Sequence, residues 1–229
     1  MSKQQTSVIV KIGGRPAEDP ACMGQLAAEI GALQETGINI AVVHGGGARL
    51  TAFCQKLGIT ARFTDGIRAT GPDDMLAADQ ILAGEINTAL VRLFASRQIP
   101  AVGLTGCDAG LCTARPLLEH TGTAGTTDTR ILHLLWQAQL VPIIASVSQD
   151  AQGQAMNINA DELARGLAIG LQASALVYIS DIPGIRIRNQ VASALTPAAI
   201  ENEIASGEIR DGMVAKSRSA VLGVQEGIG

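Results

Sequence analysis

The chain has 229 residues, enough for one large domain or two small lobes. Hydrophobic residues make up 47% of it and aromatic ones only 2%, so its core has to be built from Ala, Val, Leu and Ile. A net charge of −4 without a long basic run argues against a nucleic-acid binder, no apolar run reaches the roughly 18 residues of a membrane helix, and no charged-then-apolar leader opens the chain.

The cytoplasm is therefore the expected location. The four cysteines, Cys22, Cys54, Cys107 and Cys112, have neither zinc-site nor redox-pair spacing and are expected to be free buried thiols.

In chain order, residues 7–12 read as a strand that breaks into Gly13-Gly14. Residues 20–35 read as a helix ended by Gly37, and 38–43 as a second strand running into His44-Gly45-Gly46-Gly47. A helix over 47–57 stops at Gly58. Pro72-Asp73-Asp74 opens a long helix over 72–95, because proline and acids favour a helix N-terminus. A strand at 100–104, a helix at 127–139 and a strand at 141–146 follow.

The polar, turn-rich stretch Ser148–Gln154 marks a soft boundary near 150–160. Beyond it come a helix over 160–172, a strand over 175–180 and helices over 196–206 and 213–227. Gly227-Ile228-Gly229 reads as the turn into a further strand, which the sequence does not contain. Strands alternating with helices predict a mostly parallel sheet covered on both faces.

Two of the strands run straight into glycines. Glycine lets a backbone approach a ligand closely, and the helix start beyond it offers unpaired N–H groups. That geometry suits an anion such as a phosphate. Lysine is scarce: four residues against thirteen arginines. Lys3 is in the tail and Lys56 on a surface helix, whereas Lys11 and Lys216 stand beside glycine motifs. A compact ammonium can follow a moving phosphoryl group where a planar guanidinium is too bulky. The plainer alternative is that Lys11 ends a strand at the solvent edge and Lys216 is an exposed helix residue.

Asn157-Ile158-Asn159-Ala160-Asp161 stands at a helix start. Its polar residues either cap and turn the chain, or Asp161 holds the two lysines while the asparagines bind substrate. Ser180-Asp181-Ile182-Pro183-Gly184 directly follows an apolar strand, where ligands of open α/β sheets lie. An ordinary Asp-Pro-Gly turn would look the same. No carboxylates are spaced to hold a metal. His44 is expected to be a structural residue of its turn, and His120 and His133 have no ligand-like partners.

Six motifs in order carry a resemblance: Lys11-Ile12-Gly13-Gly14, His44-Gly45-Gly46-Gly47, Asp65-Gly66-Ile67-Arg68-Ala69-Thr70, Asn157-Ile158-Asn159-Ala160-Asp161, Ser180-Asp181-Ile182-Pro183-Gly184, and Gly207-Glu208-Ile209-Arg210-Asp211-Gly212-Met213-Val214-Ala215-Lys216. Together they cover nearly the whole chain and resemble the amino-acid kinase family, in particular its members acting on N-acetyl-L-glutamate.

The resemblance implies a three-layer α/β/α sandwich with a mainly parallel central sheet. Residues 1–155 would form the acyl-acceptor lobe and 156–229 the ATP-binding lobe. The implied reaction moves the γ-phosphoryl of ATP, arriving with Mg2+, onto the side-chain carboxylate of N-acetyl-L-glutamate, a step in arginine biosynthesis. It implies that Lys11 bridges the phosphoryl in transfer, that Lys216 neutralises charge on the leaving side, and that Asp161 orients both. Backbone N–H groups of Gly14 and Gly46 would bond the transferring oxygens. Gly46, Gly47, Arg68, Asn157 and Asn159 would hold the acceptor, with Arg68 on its α-carboxylate. Asp181, Ile182, Pro183, Gly184, Ile185, Ile209 and Arg210 would line the nucleotide pocket alongside the two lysines.

Cys107 stands where the family usually has lysine. The chain begins at its first strand, without the N-terminal helix of arginine-inhibited hexameric members, so a homodimer without arginine feedback is expected. Competing readings are a kinase for acetyl-aminoadipate or carrier-bound aminoadipate, and a non-catalytic sensor on the same fold.

Overall fold

The computed structural model describes residues 6–13, 17, 19–64, 67–180, 182–188, 190–210 and 212–228. Its strands are β1 (Ser7–Ile12), β2 (Asn39–His44), β3 (Arg62–Thr64), β4 (Ile67–Ala69), β5 (Ala101–Thr105), β6 (Cys112–Leu118), β7 (Thr121–Thr127), β8 (Val141–Ala145), β9 (Val147–Gln149), β10 (Ala155–Ile158), β11 (Ala175–Ile179), β12 (Arg186–Ile187) and β13 (Gln190–Val191). Its helices are α1 (Pro20–Glu35), α2 (Gly47–Lys56), α3 (Pro72–Ala78), α4 (Asn87–Ala95), α5 (Arg130–Gln137), α6 (Ala160–Leu171), α7 (Pro197–Ala205) and α8 (Gly212–Gln225). A π-helical segment, Asp79–Ile86, joins α3 to α4.

The central sheet has the order β11-β1-β2-β8-β5, and every pairing in it is parallel. Its strands are apolar on both faces because both faces are covered. The pleat sorts them by alternation. Ile9, Ala41, Val43 and Ile144 face α5 and α6, where they meet Leu132, Trp136, Leu163 and Leu167. Val10, Ile12, Ile40, Val42 and Ile143 face α1 and α4, where they meet Met23, Ala27, Ile30, Leu90 and Phe94. This is the expected three-layer α/β/α arrangement. With so few aromatics the packing rests on branched aliphatics, and Trp136 is anchored by donating its indole N–H to Ile40 O at 2.9 Å.

Local signals set the helix starts. Asp19 caps α1 by accepting from the Ala21 and Cys22 N–H groups, and Pro20 fills the first helical position, where a missing N–H costs nothing. Asn159 caps α6 and Thr196 caps α7 in the same way.

Strands β6, β7, β9 and β10 close into a small separate barrel, and β3–β4 and β12–β13 form two-stranded hairpins. None of these eight strands is foreseen in the sequence reading. The helix expected over 127–139 starts only at Arg130, because Thr127 still pairs with Cys112 at the end of β7. The expected boundary at 155/156 falls within β10. All four cysteines are free; Cys54 and Cys112 are buried, but Cys22 and Cys107 are only half-buried, which corrects the expectation of four buried thiols. Among the described residues no helix is long and apolar enough to cross a membrane.

Candidate active site

The C-terminal ends of β1, β2 and β8 open onto a cavity of about 740 Å³. Lys11, Gly46, Gly47, Arg68, Asn157, Asn159 and Asp161 all line it, so the fold gathers residues from four of the six motifs in one place. Gly14 and Asp181 lie outside the described residues, as do Asp65, Gly66 and Asp211 of the motifs.

Lys11 points to the α6 side of the sheet, on the same face of β1 as Ile9. There its Nζ lies 2.7 Å from Asp161 Oδ1, in the first turn of α6, with the two side chains 12% and 19% exposed. The helix start favours the aspartate's negative charge. Asp161 Oδ1 is buried, and its partner is this ammonium. The ammonium folds back over Gly13, where a Cβ would overlap it. Asn159 spends its side-chain oxygen on the Asp161 N–H at 2.8 Å, so it is a helix cap as well as a cavity residue.

Arg68 is 9% exposed and enters from β4. Its Nη1 donates to Asp74 Oδ1 at 3.1 Å, its Nη2 bonds the Thr51 hydroxyl, and its carbon lies 5.2 Å from the Phe63 ring centroid. The guanidinium is therefore fixed from behind by an acid, a hydroxyl and an aromatic face. Thr121 Oγ1 donates to Arg68 O at 2.8 Å and accepts from Thr70 N at 2.9 Å, which ties β4 to the small barrel. Asn157 donates to Thr70 Oγ1 at 3.1 Å.

His44 is 1% exposed. Burial lowers its pKa to about 4, against an opposing hydrogen bond to the Gly45 carbonyl. It is neutral at pH 7 and faces the protein, the structural role expected of it.

Of the residues expected around the nucleotide, Lys11 lines this cavity, whereas Ile182, Pro183, Gly184, Ile185, Ile209, Arg210 and Lys216 do not. Lys216, on α8, donates to Ser180 Oγ at 2.7 Å, at the end of β11. The Tyr178 hydroxyl, 3.0 Å from Ser219 Oγ, holds α8 against the same strand. Ile182–Ile185 follow β11, and the Ile209 side chain is 2% exposed, packed with Ile200 and Val221. Arg210 is exposed. Since Lys11 pairs with Tyr178 in the β1–β11 register and Gly13 N donates to Ile179 O at 3.1 Å, the two lysine-bearing regions meet at adjacent strand ends.

Sequence reasoning missed Asp74, Thr51, Thr121 and Glu162. Asp74 reads as a helix-start acid but is 5% exposed and paired with Arg68. Glu162 lines the cavity beside Asp161, and burial raises its carboxyl pKa. Its position one residue after the motif aspartate was the available signal. Among the described residues no group of three or more His, Cys, Asp or Glu side chains could hold a metal ion.

A cavity at parallel strand ends, lined by glycine turns, a paired lysine and a buried arginine, is suited to binding anions. Relatives agree with that geometry. The family model described as the amino acid kinase family matches residues 6–228. The chain is 36% identical to the acetylglutamate kinase of Koribacter versatilis, over 97% of this chain and 87% of that protein. Its fold is similar to that of smu.665 from Streptococcus mutans UA159, with a TM-score of 0.90 at 24% identity over 99% of this chain and 93% of that one. It is also similar to that of carbamate kinase from Giardia lamblia, with a TM-score of 0.64 at 14% identity over 96% and 89%. With its motifs set at the strand ends of such a sheet and a family match across nearly its whole length, the chain belongs to the amino acid kinase family.

Proposed function

We propose that the chain transfers the γ-phosphoryl group of MgATP to the side-chain carboxylate of N-acetyl-L-glutamate, giving an acyl phosphate and ADP. The observation that carries this reading is the Lys11–Asp161 pair, set in one cavity with Gly46, Asn157 and the buried Arg68.

A carboxylate nucleophile is already ionised at pH 7, so no general base is needed. Its oxygen attacks the γ-phosphorus, the bond to the β–γ bridging oxygen breaks, and ADP leaves with that electron pair. The barrier lies in bringing anions together in line, which fixed cations and preorganised N–H dipoles lower. In this reading the Lys11 ammonium bridges the group in transfer, held in place by its ion pair with Asp161, which leaves two of its three N–H donors for phosphoryl oxygens. Gly14 and Gly46 give N–H groups to the transferring oxygens. Arg68 pairs with the acceptor's α-carboxylate, while Gly47, Asn157 and Asn159 bind the rest of it.

Lys216 neutralises charge on the leaving ADP, and Asp181 to Ile185 with Ile209 and Arg210 line the nucleotide site. Residues 1–155 then serve the acceptor and 156–229 the nucleotide. Mg2+ travels with the ATP phosphates, which agrees with a site built from lysines and backbone donors. The protein works in the cytoplasm, in arginine biosynthesis, as a homodimer.

The test is ADP release with MgATP, comparing N-acetyl-L-glutamate with N-acetyl-aminoadipate. Release that depends on N-acetyl-L-glutamate and is lost in Lys11→Ala supports the reading. A folded chain that releases ADP with neither substrate overturns it.

A further inference from the structure

The π-helical segment Asp79–Ile86 lies directly behind the glycine turn after β2. In a π turn the hydrogen bonds run i→i+5. Residue 87 therefore stacks above residue 82, and Leu82, Ile86 and Asn87 reach the sheet together, which a regular α-helix would not allow. The terminal methyls of Leu82 and Ile86 fill the space a Cβ on Gly46 would need.

Asn87 is 5% exposed. Its Nδ2 lies 2.9 Å from Ile143 O and 3.0 Å from His44 Nε2. Ile143 O can only accept, so the amide must turn its NH2 toward that pair. Its oxygen lies against Gly103, where a Cβ would overlap it. Asn87 Nδ2 also lies 3.5 Å from Leu104 O, the longest of its three contacts. His44 Nε2 accepts from Asn87, so the imidazole proton is on Nδ1. Nδ1 lies 2.9 Å from Gly45 O and donates to it. The Gly45 carbonyl and the Gly46 N–H belong to one trans peptide unit and point in opposite directions. Fixing the carbonyl fixes the aim of the N–H.

We propose that Asn87 is a positioning residue for phosphoryl transfer: acting through His44, it sets the Gly45–Gly46 peptide plane and so aims the Gly46 N–H at the group in transfer. The proposal rests on the reading of Gly46 as a donor to the transferring oxygens. The contacts to Ile143 O and Leu104 O tie the helix to the sheet, and the arm to His44 is the one that leads to the glycine turn.

The experiment combines nitrogen NMR of the imidazoles with kinetics on the full chain. Only His44, His120 and His133 contribute, and His44→Phe assigns the signal. In the wild type, His44 holds its proton on Nδ1 from pH 5 to 8. Asn87→Asp faces Nε2 with acceptor oxygens and is expected to move the proton to Nε2, or to give the imidazolium. Its kcat should fall about 10–100-fold, by analogy with losing an aimed oxyanion donor, while KM for ATP stays within about threefold. His44→Phe keeps the ring volume and should show the same kcat fall, so it decides the matter if Asn87→Asp does not fold. An unchanged tautomer in Asn87→Asp, or wild-type kcat in folded His44→Phe, overturns the proposal. Absence of ADP release from the wild-type chain overturns the proposed function itself, before either variant is read.

Discussion

Lys11 belongs to the first motif and Asp161 to the fourth, 150 residues on, yet their charged atoms stand 2.7 Å apart. The pleat of β1 sends Lys11 to the face covered by α6, and the Asn159 cap starts α6 so that Asp161 falls in its first turn. The ammonium is held by one carboxylate and occupies the space over Gly13 that a Cβ would need. Lys11→Ala is expected to cut kcat by about 10²–10³-fold, the usual size for losing a group aimed at transition-state charge. Lys11→Arg should not restore it, because a planar fork does not replace a point charge. Gly13→Ala displaces only the end of a flexible side chain. It should lower kcat while leaving the melting temperature nearly unchanged. Steady-state ADP release and thermal melts on the three variants check this; a Gly13→Ala enzyme with wild-type kcat would show that the lysine need not lie where it does.

Arg68 and Asp74 make the more buried ion pair. Removing one partner of such a pair strands the other charge, at a cost of about 3–5 kcal/mol. Arg68→Ala should therefore be grossly unstable and uninformative about binding. Arg68→Lys keeps the charge but loses the fork that reaches both Asp74 and Thr51. It is expected to raise KM for N-acetyl-L-glutamate about tenfold or more, with KM for ATP within about twofold. Initial-rate kinetics with each substrate varied in turn separates these outcomes. Equal rises in both constants would mean that Arg68 supports the fold alone.

His44 makes stability depend on pH. Its folded-state pKa is about 4 against an ordinary value of 6.5, chiefly because burial opposes the imidazolium. Between those values the unfolded chain binds the proton and the folded chain does not, so stability rises with pH. The contribution is complete above pH 6.5 and is lost as pH falls toward about 4, amounting to about 3 kcal/mol over the window. Denaturant unfolding at pH 7 and pH 4 measures it. His44→Phe, which cannot titrate, should show a shallower slope across that interval; an identical slope would place the pH dependence on other groups.

The sheet and its covering helices were legible because their signals are strong and local. Ile9, Val42 and Ile143 belong to unbroken apolar runs, and Asp19-Pro20 and Thr196-Pro197 announce helix starts. The glycine turns and Lys11 were legible because glycine pairs and triplets, and one of only four lysines, stand directly where strands end. The small barrel was not. Cys112–Leu118 includes Pro116, Thr121–Thr127 is mostly Thr and Gly, and β9 and β10 span three and four residues, too short for a period-2 pattern to register. The acid behind Arg68 was hidden for a different reason. Asp74 has the signature of an ordinary helix start, and only the β3–β4 hairpin turns Arg68 toward it. Nor does any sequence pattern mark the π segment.

The nucleotide side depends on how α8 is held. Tyr178 stands on β11 with its hydroxyl 3.0 Å from Ser219 Oγ, and Lys216 is three residues earlier on the same helix face, bonded to Ser180 Oγ at 2.7 Å. The two bonds fasten one helix face to one strand end, so under the proposed function Tyr178 acts on the nucleotide through α8. Tyr178→Phe removes a single neutral hydrogen bond, worth about 1 kcal/mol, which lowers the melting temperature by about 2–4 °C in a chain of this size. With α8 less firmly held, KM for ATP should rise about two- to fivefold, the range expected from losing roughly 1 kcal/mol of positioning, while kcat at saturating ATP and KM for N-acetyl-L-glutamate stay near wild type. Lys216→Ala, by contrast, should lower kcat itself, because the charge on departing ADP goes unneutralised. Isothermal titration with a non-hydrolysable ATP analogue, run beside the kinetics, separates looser binding from slower chemistry. If Tyr178→Phe binds the analogue as tightly as the wild type, the Tyr178–Ser219 bond serves stability only, and Lys216 is positioned by α8 packing on α6 and α7.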